Sequence, residues 1–304
     1  MRIAVFPGQG SQSPGFLSPW LALDGAADRL SQYSEWAGVD LVAAGTEWDA
    51  DRIRDTQVAQ PLIVAASLLS WNALPGRDAI AGVAGHSVGE FAAAAASGIL
   101  TEEDALRLVG IRGRAMAEAA AAEQTGMSAV IGGDEASVVS RLEELGLTPA
   151  NYNGGGQLVA AGALDALAQL TAEPPAGTRV IPLQVAGAFH TRYMAPAVET
   201  LRTAAAEVEA SDPRVTVWTN RDGSPVARGS EFVGLLVDQV ASPVRWDLCM
   251  TAFSSAGVSG IVELSPAGTL TGLAKRALRG TPAVAVKTPD DLQAAADLLG
   301  SADA

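Results

Sequence analysis

The sequence predicts an α/β protein built on a mainly parallel sheet covered by helices, with a smaller subdomain inserted into the chain. Short runs of small and β-branched apolar residues alternate with helical patterns, as in a parallel sheet. A glycine-flanked serine at residues 85–89 stands between one such strand and one such helix, as in α/β-hydrolases. Between residues 125 and 184 the order becomes βαββαβ, which is typical of a ferredoxin-like unit. The fold class is therefore an α/β-hydrolase-like core with an inserted ferredoxin-like subdomain.

Three predicted elements precede the glycine-flanked serine along the chain. Arg2–Phe6 is predicted to form a strand, and residues 7–12 a glycine-rich turn around Gln9 whose backbone can approach a ligand. The turn lacks the spacing of phosphate-binding glycine motifs, and an ordinary turn between a strand and a helix explains it equally well. Residues 59–71 predict a helix that begins near Pro61 and packs behind the serine turn.

The serine turn has the pattern of a nucleophile elbow. Residues 80–83 predict a buried strand and the alanine-rich run after residue 89 predicts a helix, so residues 85–89 must turn the chain sharply. The glycines at both ends of this pentapeptide avoid steric overlap in the turn. The hydroxyl of Ser87 is then presented at the carboxyl edge of the sheet, where the backbone N–H of Val88 can stabilise an oxyanion. Chance is the alternative in a chain with 32 glycines, but the flanking strand and helix argue against it.

A predicted helix over residues 101–122 carries three arginines, Arg107, Arg112 and Arg114. An arginine offers a planar pair of donors that fits a carboxylate, so one that faced Ser87 could select an acidic substrate. Spacing alone favours a solvated surface position for each of the three.

We interpret residues 125–184 as the insertion and residues 1–124 and 185–304 as the core, because the pieces on either side are needed to complete one sheet. Within the insertion the sequence predicts strands at 127–131, 149–153, 157–161 and 178–183 and helices at 135–145 and 164–171. After it, the sequence predicts strands at 214–219, 258–264 and 283–286, helices at 232–240, 270–278 and 290–299, and a frayed end at 302–304.

The chain has only two histidines, His86 and His190. His86 stands beside the serine and has no freedom to act as its base. If Ser87 is a nucleophile, His190 is the imidazole left to activate it. A structural role is the usual alternative for a single histidine, but the shortage of other bases favours catalysis.

Composition limits the class of protein. A chain of 304 residues with 48% hydrophobic content can bury a large core in one or two domains. Its longest apolar stretches fall well short of the roughly 20 residues that cross a bilayer, so no membrane span is expected. The N-terminus enters a strand without the apolar region of a signal peptide, and the single Cys249 fits a reducing compartment, so we expect a cytoplasmic protein with no metal site.

The charge argues against nucleic-acid binding, because a net charge of −14 offers no basic face for phosphates. An acidic partner would need a local basic patch, and the dense one is Lys275, Arg276 and Arg279. A solvated helix face is the alternative explanation, and the charges alone favour it.

Eight motifs together resemble those of malonyl-CoA:acyl carrier protein transacylases and of the related acyltransferase domains of polyketide synthases. The likeness runs along nearly the whole chain in the family's order. The motifs are Pro7-Gly-Gln-Gly-Ser-Gln12, Gln60-Pro61, Gly85-His-Ser-Val-Gly-Glu90, Arg112-Gly-Arg114, Asn151-Tyr-Asn153, Gly187-Ala-Phe-His190, Ser242-Pro-Val-Arg-Trp246 and Glu263-Leu-Ser-Pro-Ala-Gly268.

The resemblance implies roles for the reacting groups. Ser87 is expected to be the acyl-accepting nucleophile and His190 its base and later its general acid. The backbone N–H groups of Gln9 and Val88 are expected to form the oxyanion hole. The backbone carbonyl of Gln239 is expected to orient the histidine in place of a triad aspartate.

The resemblance also implies how the substrate is bound. Arg112 is similar to the arginine that pairs with the malonyl carboxylate, and the matching motifs place Gln60, Asn153 and Phe189 among the substrate-binding residues. Residues 187–190 are closer to the malonyl-selective form of their motif than to the Tyr-Ala-Ser-His of methylmalonyl-selective domains. Ala188 departs from relatives that carry larger or polar residues there, so selectivity is less secure than reaction type.

The expected reaction is a two-step transfer in fatty acid or polyketide biosynthesis, or both. Malonyl-CoA acylates the serine, and the phosphopantetheine thiol of acyl carrier protein then takes the malonyl group. A monomer that needs no metal and no bound cofactor is expected. A serine esterase or thioesterase and a non-catalytic module that binds the carrier protein are the alternatives.

Overall fold

The computed structural model describes residues 1–300, so the expected fraying of residues 302–304 lies outside the described part of the chain. Its strands are β1 (Arg2–Phe6), β2 (Gly82–Gly85), β3 (Thr125–Gly132), β4 (Thr148–Gly154), β5 (Gln157–Ala163), β6 (Thr178–Pro182), β7 (Thr216–Trp218), β8 (Pro225–Val226), β9 (Val244–Arg245), β10 (Gly260–Glu263) and β11 (Ala283–Ala285). Its α-helices are α1 (Ala26–Ala37), α2 (Leu41–Thr46), α3 (Ala50–Arg54), α4 (Thr56–Ala73), α5 (Gly89–Ser97), α6 (Glu102–Ala122), α7 (Glu135–Glu144), α8 (Leu164–Ala172), α9 (Ala195–Ala205), α10 (Gly229–Asp238), α11 (Trp246–Ser255), α12 (Thr269–Ala277) and α13 (Leu292–Gly300).

The main sheet has six strands in the order β11-β10-β1-β2-β7-β8. All neighbours are parallel except β8, which pairs antiparallel with β7. The central strands β1 and β2 are apolar and almost wholly buried, as expected of parallel strands covered on both faces. The predicted α/β class with a parallel sheet is therefore confirmed.

The register of this sheet brings two loops together at its carboxyl edge. Phe6 at the end of β1 pairs with Gly85 at the end of β2, and the backbone N–H of His86 donates to the carbonyl of Phe6 at 2.9 Å. The glycine-rich turn at residues 7–12 and the serine turn therefore leave the sheet side by side. Binding sites of open α/β sheets lie at this edge.

The helix behind the serine turn is longer than the sequence predicts. Helix α4 begins at Thr56 because the side chain of Asp55 accepts from the backbone N–H of Gln57 and caps the helix. Pro61 therefore lies inside the helix rather than at its start. Fourteen residues of α4 are buried, since the helix is apolar on nearly all sides and packs against α5 and α6.

The second sheet has the strand order β6-β3-β5-β4-β9. Residues 125–184 supply β3, α7, β4, β5, α8 and β6 in that order along the chain, and these four strands pair antiparallel around a separate apolar cluster. The fifth strand, β9, follows the insertion and pairs parallel with β4. The boundaries at residues 124 and 184 stay a prediction, because the second sheet takes in a strand from beyond them.

Several elements have no counterpart in the sequence analysis. Helices α9 and α11 and the two-residue strands β8 and β9 were not predicted. The strands are too short to show an alternating pattern, and their pairing depends on distant segments. Within residues 1–300, no helix combines the length and apolarity that spanning a membrane requires.

The fold predicts that replacing either of two glycines by alanine has very different effects on stability. A Cβ on Gly89 would overlap the carbonyl oxygen of Phe6, whereas a Cβ on Gly234, an exposed position of α10, meets no atom within 4 Å. We expect Gly89→Ala to lower the free energy of unfolding by at least about 2 kcal/mol. Gly234→Ala should leave it unchanged or raise it by up to about 1 kcal/mol. Urea denaturation of both variants checks this, and equal stabilities would contradict the described close approach.

Candidate active site

Ser87 occupies a strained turn that two glycines make possible. Its φ of 52° lies in the left-handed region, which costs a non-glycine residue roughly 1–2 kcal/mol. Asn220, which follows β7 at the same sheet edge, holds the turn. Its Oδ1 accepts from the backbone N–H of Ser87 and its Nδ2 donates to the carbonyl of Gly85, each at 2.7 Å. The strain is therefore held in place by a buried amide.

The serine hydroxyl contacts the imidazole that the sequence analysis selected. Ser87 Oγ lies 2.7 Å from His190 Nε2, and His190 Nδ1 lies 2.8 Å from the backbone carbonyl oxygen of Gln239. A carbonyl only accepts, so Nδ1 carries the proton and Nε2 is free to accept the serine proton. Within residues 1–300, no carboxylate is hydrogen-bonded to His190.

Burial keeps both histidines neutral. The pKa of His190 is lowered to about 3, chiefly by desolvation and next by the positive charge of Arg112. Desolvation also lowers the pKa of His86, whose Nε2 lies 2.9 Å from Asn153 Oδ1. At neutral pH His190 can therefore act as a base, and His86 is held by another side chain.

Six of the predicted site residues line one narrow cavity of about 90 Å³ between the two sheets. They are Ser87, His190, Gln9, Val88, Gln60 and Phe189. The backbone N–H groups of Gln9 and Val88 have no hydrogen-bond acceptor among the described residues, and Val88 precedes helix α5 directly. A free donor at a helix N-terminus and a second free donor in the turn after β1 suit a developing oxyanion.

Three predicted site residues do not line the cavity, namely Asn153, Arg112 and Gln239. Asn153 is bonded to His86, while Asn151 of the same strand lines the cavity in its place. Arg112 is 1% exposed, with Nη1 donating to Gln60 Oε1 at 2.7 Å and Nη2 donating to Gln239 Oε1 at 3.1 Å. Burial lowers the pKa of Arg112 to about 10, which leaves it a cation at neutral pH.

The other two arginines of helix α6 point elsewhere. Arg107 is exposed and bonded to Asp104, and Arg114 donates to the carbonyl of Ala37. Of the three arginines on this helix, only Arg112 therefore has hydrogen bonds to residues of the site, and its cation lies beside a residue that lines the cavity.

The sequence analysis missed two residues of the site. Asn220 belongs to none of the predicted elements or motifs, and Glu90 appears only as the last residue of the motif around Ser87. Glu90 is 1% exposed, and its carboxylate accepts from the backbone N–H of Asn220 at 2.6 Å and from Gln239 Nε2 at 2.5 Å. A carboxylate in the first turn of an otherwise apolar helix was the available signal.

The basic residues Lys275, Arg276 and Arg279 are all exposed. Lys275 and Arg276 occupy the last turn of α12, where cations interact favourably with the helix dipole. Arg276 donates to Gln157 at 3.1 Å, which links α12 to β5 of the second sheet. The patch is therefore accessible.

The elements of the site together define a class of enzyme. Acyl transfer through a serine ester requires a nucleophile, a base that activates it, and donors that stabilise the oxyanion. One cavity brings these together as a strained serine, a neutral histidine with a fixed tautomer, and two free backbone N–H groups.

Comparison with known proteins narrows this class. Residues 4–294 match the acyl transferase domain family. The malonyl CoA-acyl carrier protein transacylase of Mycobacterium tuberculosis is 54% identical over 302 residues, which cover 98% of this chain and 100% of that protein. A crystal structure of the M. tuberculosis protein superposes with a TM-score of 0.94 at 53% identity and covers 97% of this chain and 100% of that one.

A further solved structure is a complex of a type II polyketide synthase acyl-carrier protein with its malonyl-transacylase. It has a TM-score of 0.91 at 30% identity and covers 97% of this chain and 99% of that one. The chain described here belongs to the malonyl CoA-acyl carrier protein transacylase family of acyl transferases.

The lowered pKa of His190 predicts how stability depends on pH. In the unfolded chain His190 takes up a proton below about pH 6.5, but the folded protein keeps it neutral, so its burial destabilises the fold as pH falls. We expect the unfolding free energy of the wild type to fall by about 2 kcal/mol relative to His190→Gln between pH 7 and pH 5. Urea titrations of both proteins at each pH check this; a constant difference would show that His190 titrates alike in both states.

Proposed function

We propose that this protein transfers the malonyl group of malonyl-CoA to the phosphopantetheine thiol of acyl carrier protein through an ester on Ser87. The observation that carries the proposal is the pairing of Ser87 Oγ with His190 Nε2 at 2.7 Å, beside two unpaired backbone donors. The relatives named malonyl CoA-acyl carrier protein transacylase support the choice of acyl group and acceptor.

In the first half-reaction His190 Nε2 takes the proton of the Ser87 hydroxyl as Oγ attacks the thioester carbonyl carbon. The carbonyl oxygen becomes an anion and accepts from the N–H groups of Gln9 and Val88. When the tetrahedral intermediate collapses, the carbon–sulfur bond breaks and the CoA sulfur takes the proton from His190. A malonyl ester of Ser87 and free CoA remain.

In the second half-reaction the thiol of the carrier protein enters where CoA left. His190 takes its proton, the sulfur attacks the ester carbonyl, and the same donors hold the oxyanion. Collapse breaks the bond to Ser87 Oγ, which recovers its proton from His190. No step needs a metal or a bound organic cofactor, and a monomer contains every group that the steps use.

The partner of His190 favours transfer to a thiol over hydrolysis. Its Nδ1 is bonded to the neutral carbonyl of Gln239 and not to a carboxylate, so the imidazolium is less stabilised than in a hydrolase triad. A weaker base penalises attack by water more than attack by a thiol, which ionises more easily and is the better nucleophile.

Arg112 is proposed to select the malonyl group by pairing with its free carboxylate. Gln60 lines the cavity and accepts from Arg112, so it marks the side from which a carboxylate would approach the guanidinium. A buried cation that can pair with a carboxylate penalises acyl groups that lack one. The cavity lining residue Phe189 and the neighbouring Asn153 are proposed to shape the pocket for the acyl chain.

The patch of Lys275, Arg276 and Arg279 is proposed as the docking site of the carrier protein. Its exposed positive charge stands out on a chain with a net charge of −14, which repels an acidic partner elsewhere. A cytoplasmic location is part of the proposal, because a reducing compartment keeps the acceptor thiol free. The product then serves fatty acid or polyketide synthesis, or both.

The nucleophile is tested by intact-mass spectrometry after mixing the protein with malonyl-CoA. We expect a single malonyl adduct on the wild type and none on Ser87→Ala, because that variant has no hydroxyl to acylate. Adding holo-acyl carrier protein should remove the adduct and produce malonyl-carrier. Free malonate forming faster than malonyl-carrier would indicate a thioesterase instead, and an unmodified wild type would indicate a non-catalytic module.

Selectivity is tested with an equimolar mixture of malonyl-CoA and acetyl-CoA. Arg112→Ala should reduce malonylation of Ser87 at least about 100-fold and raise the ratio of acetyl to malonyl adduct, because the cation that favours the carboxylate is gone. Arg107→Ala, on the exposed side of the same helix, is the matched control and should keep the wild-type ratio. An unchanged ratio in Arg112→Ala would remove this residue from acyl recognition.

A further inference from the structure

Glu90 is a buried charge that the transfer steps do not use. It lies in the first turn of α5, three residues after Ser87, and is 1% exposed. Its Oε1 accepts from the backbone N–H of Asn220 at 2.6 Å, and its Oε2 accepts from Gln239 Nε2 at 2.5 Å. A buried carboxylate is costly unless it is paired, so its presence here calls for a reason.

Gln239, which donates to Glu90, is also hydrogen-bonded to both Arg112 and His190. The side-chain Oε1 of Gln239 accepts from Arg112 Nη2, and its backbone carbonyl accepts from His190 Nδ1. Its Nε2 also donates to Asn220 Oδ1 at 3.1 Å, and that same oxygen accepts from the backbone N–H of Ser87. Hydrogen bonds therefore run in a closed ring from Ser87 through His190, Gln239 and Asn220 back to Ser87.

The direction of these hydrogen bonds requires a carboxylate at position 90. A guanidinium only donates, so the amide oxygen of Gln239 must face Arg112 and its NH₂ group must face Glu90. The second partner of Glu90, the backbone N–H of Asn220, is also a donor. A carboxylate accepts from both, whereas a carboxamide presents one donor to a donor.

The opposite charges of Glu90 and Arg112 support the same arrangement of hydrogen bonds. Burial raises the pKa of Glu90, whereas the N–H of Asn220 and the positive charge of Arg112 lower it. Because both carboxyl oxygens accept from N–H donors, the hydrogen bonds favour the ionised form. Glu90 in turn raises the pKa of Arg112 against its own burial. Each ion makes the burial of the other less costly, with Gln239 between them.

We propose that Glu90 is a positioning residue for acyl transfer: by holding the side chain of Gln239 it fixes the imidazole of His190 against Ser87 and the guanidinium of Arg112 beside the acyl pocket. Glu90 itself touches no reacting atom. The part of this inference that concerns Arg112 rests on the proposed malonyl transfer, whereas the part that concerns His190 does not.

The test compares Glu90→Gln with Glu118→Gln, which makes the same change at an exposed position of α6. Three quantities are measured: the midpoint of thermal unfolding, the rate at which phenylmethanesulfonyl fluoride modifies Ser87, and kcat and KM for malonyl-CoA. The sulfonyl fluoride carries no carboxylate, so it reports the pair Ser87 and His190 without Arg112.

For folded Glu90→Gln we expect sulfonylation of Ser87 to slow by about 10- to 100-fold, because a small displacement of a base costs that much. We expect kcat for malonyl transfer to fall by a similar factor and KM to rise, because Arg112 loses its fixed position. Glu118→Gln should match the wild type in all three quantities. Wild-type sulfonylation, kcat and KM in folded Glu90→Gln would overturn the proposal.

A swapped pair, Glu90→Gln with Gln239→Glu, provides the rescue. Its amide at position 90 still accepts from Asn220 and donates to the new carboxylate, which accepts from Arg112. The new carboxylate cannot donate to Asn220 Oδ1, so that one hydrogen bond of the ring is lost. We expect its sulfonylation rate to lie between those of Glu90→Gln and the wild type, and, if Glu90→Gln does not fold, to exceed that of His190→Ala at least about tenfold. A folded swapped variant that reacts no faster than His190→Ala would overturn the proposal.

The two proposals fail in different ways. If wild-type Ser87 is sulfonylated but never accepts a malonyl group, the proposed function is wrong and the role of Glu90 toward His190 is still decided by the sulfonylation rates. If malonyl transfer is observed and Glu90→Gln leaves it unchanged, the role of Glu90 is wrong and the function stands.

Discussion

The site depends on one hydrogen bond, from Nδ1 of His190 to the backbone carbonyl of Gln239. That bond decides which ring nitrogen carries the proton, and therefore that the nitrogen 2.7 Å from Ser87 Oγ is a free base. The carbonyl is neutral, so it orients the ring without adding charge to a site that already holds Arg112. Orientation and basicity are thereby set separately, which an aspartate in the same place could not achieve.

Close backbone packing places Ser87 beside this base. The parallel pairing of β1 with β2 places the turn after each strand at the same edge, and the absence of a side chain at Gly85 and Gly89 lets helix α5 begin against β1. The second sheet closes the cavity from the other side, with Met127, Asn151 and Val159 on its wall. Met127 and Val159 also belong to the large apolar cluster of the main core, so the cavity lies where the second sheet packs against that core.

The sequence predicts the parts of this site that are local. The elbow is visible because a strand, two glycines and a helix are contiguous, and His190 is identified because the chain offers no other free imidazole. The roles of Asn220 and Glu90 do not follow from the local sequence, since each acts through a partner more than a hundred residues away, Ser87 and Gln239 respectively. The capped start of α4 at Asp55 shows the same limit, because the proline inside the helix gives the stronger local signal.

Strand β9 gives the two-sheet architecture a mechanical consequence. Its two residues follow the turn that carries Gln239, pair with β4 of the second sheet, and include Arg245, whose backbone N–H donates to the carbonyl of Asn220. The segment from Gln239 to Arg245 thus joins the carbonyl that orients the imidazole to the second sheet. Because Asn220 also holds the serine turn, the base and the nucleophile are both linked to this segment by hydrogen bonds. The packing of the second sheet and the alignment of the reacting pair are therefore mechanically coupled.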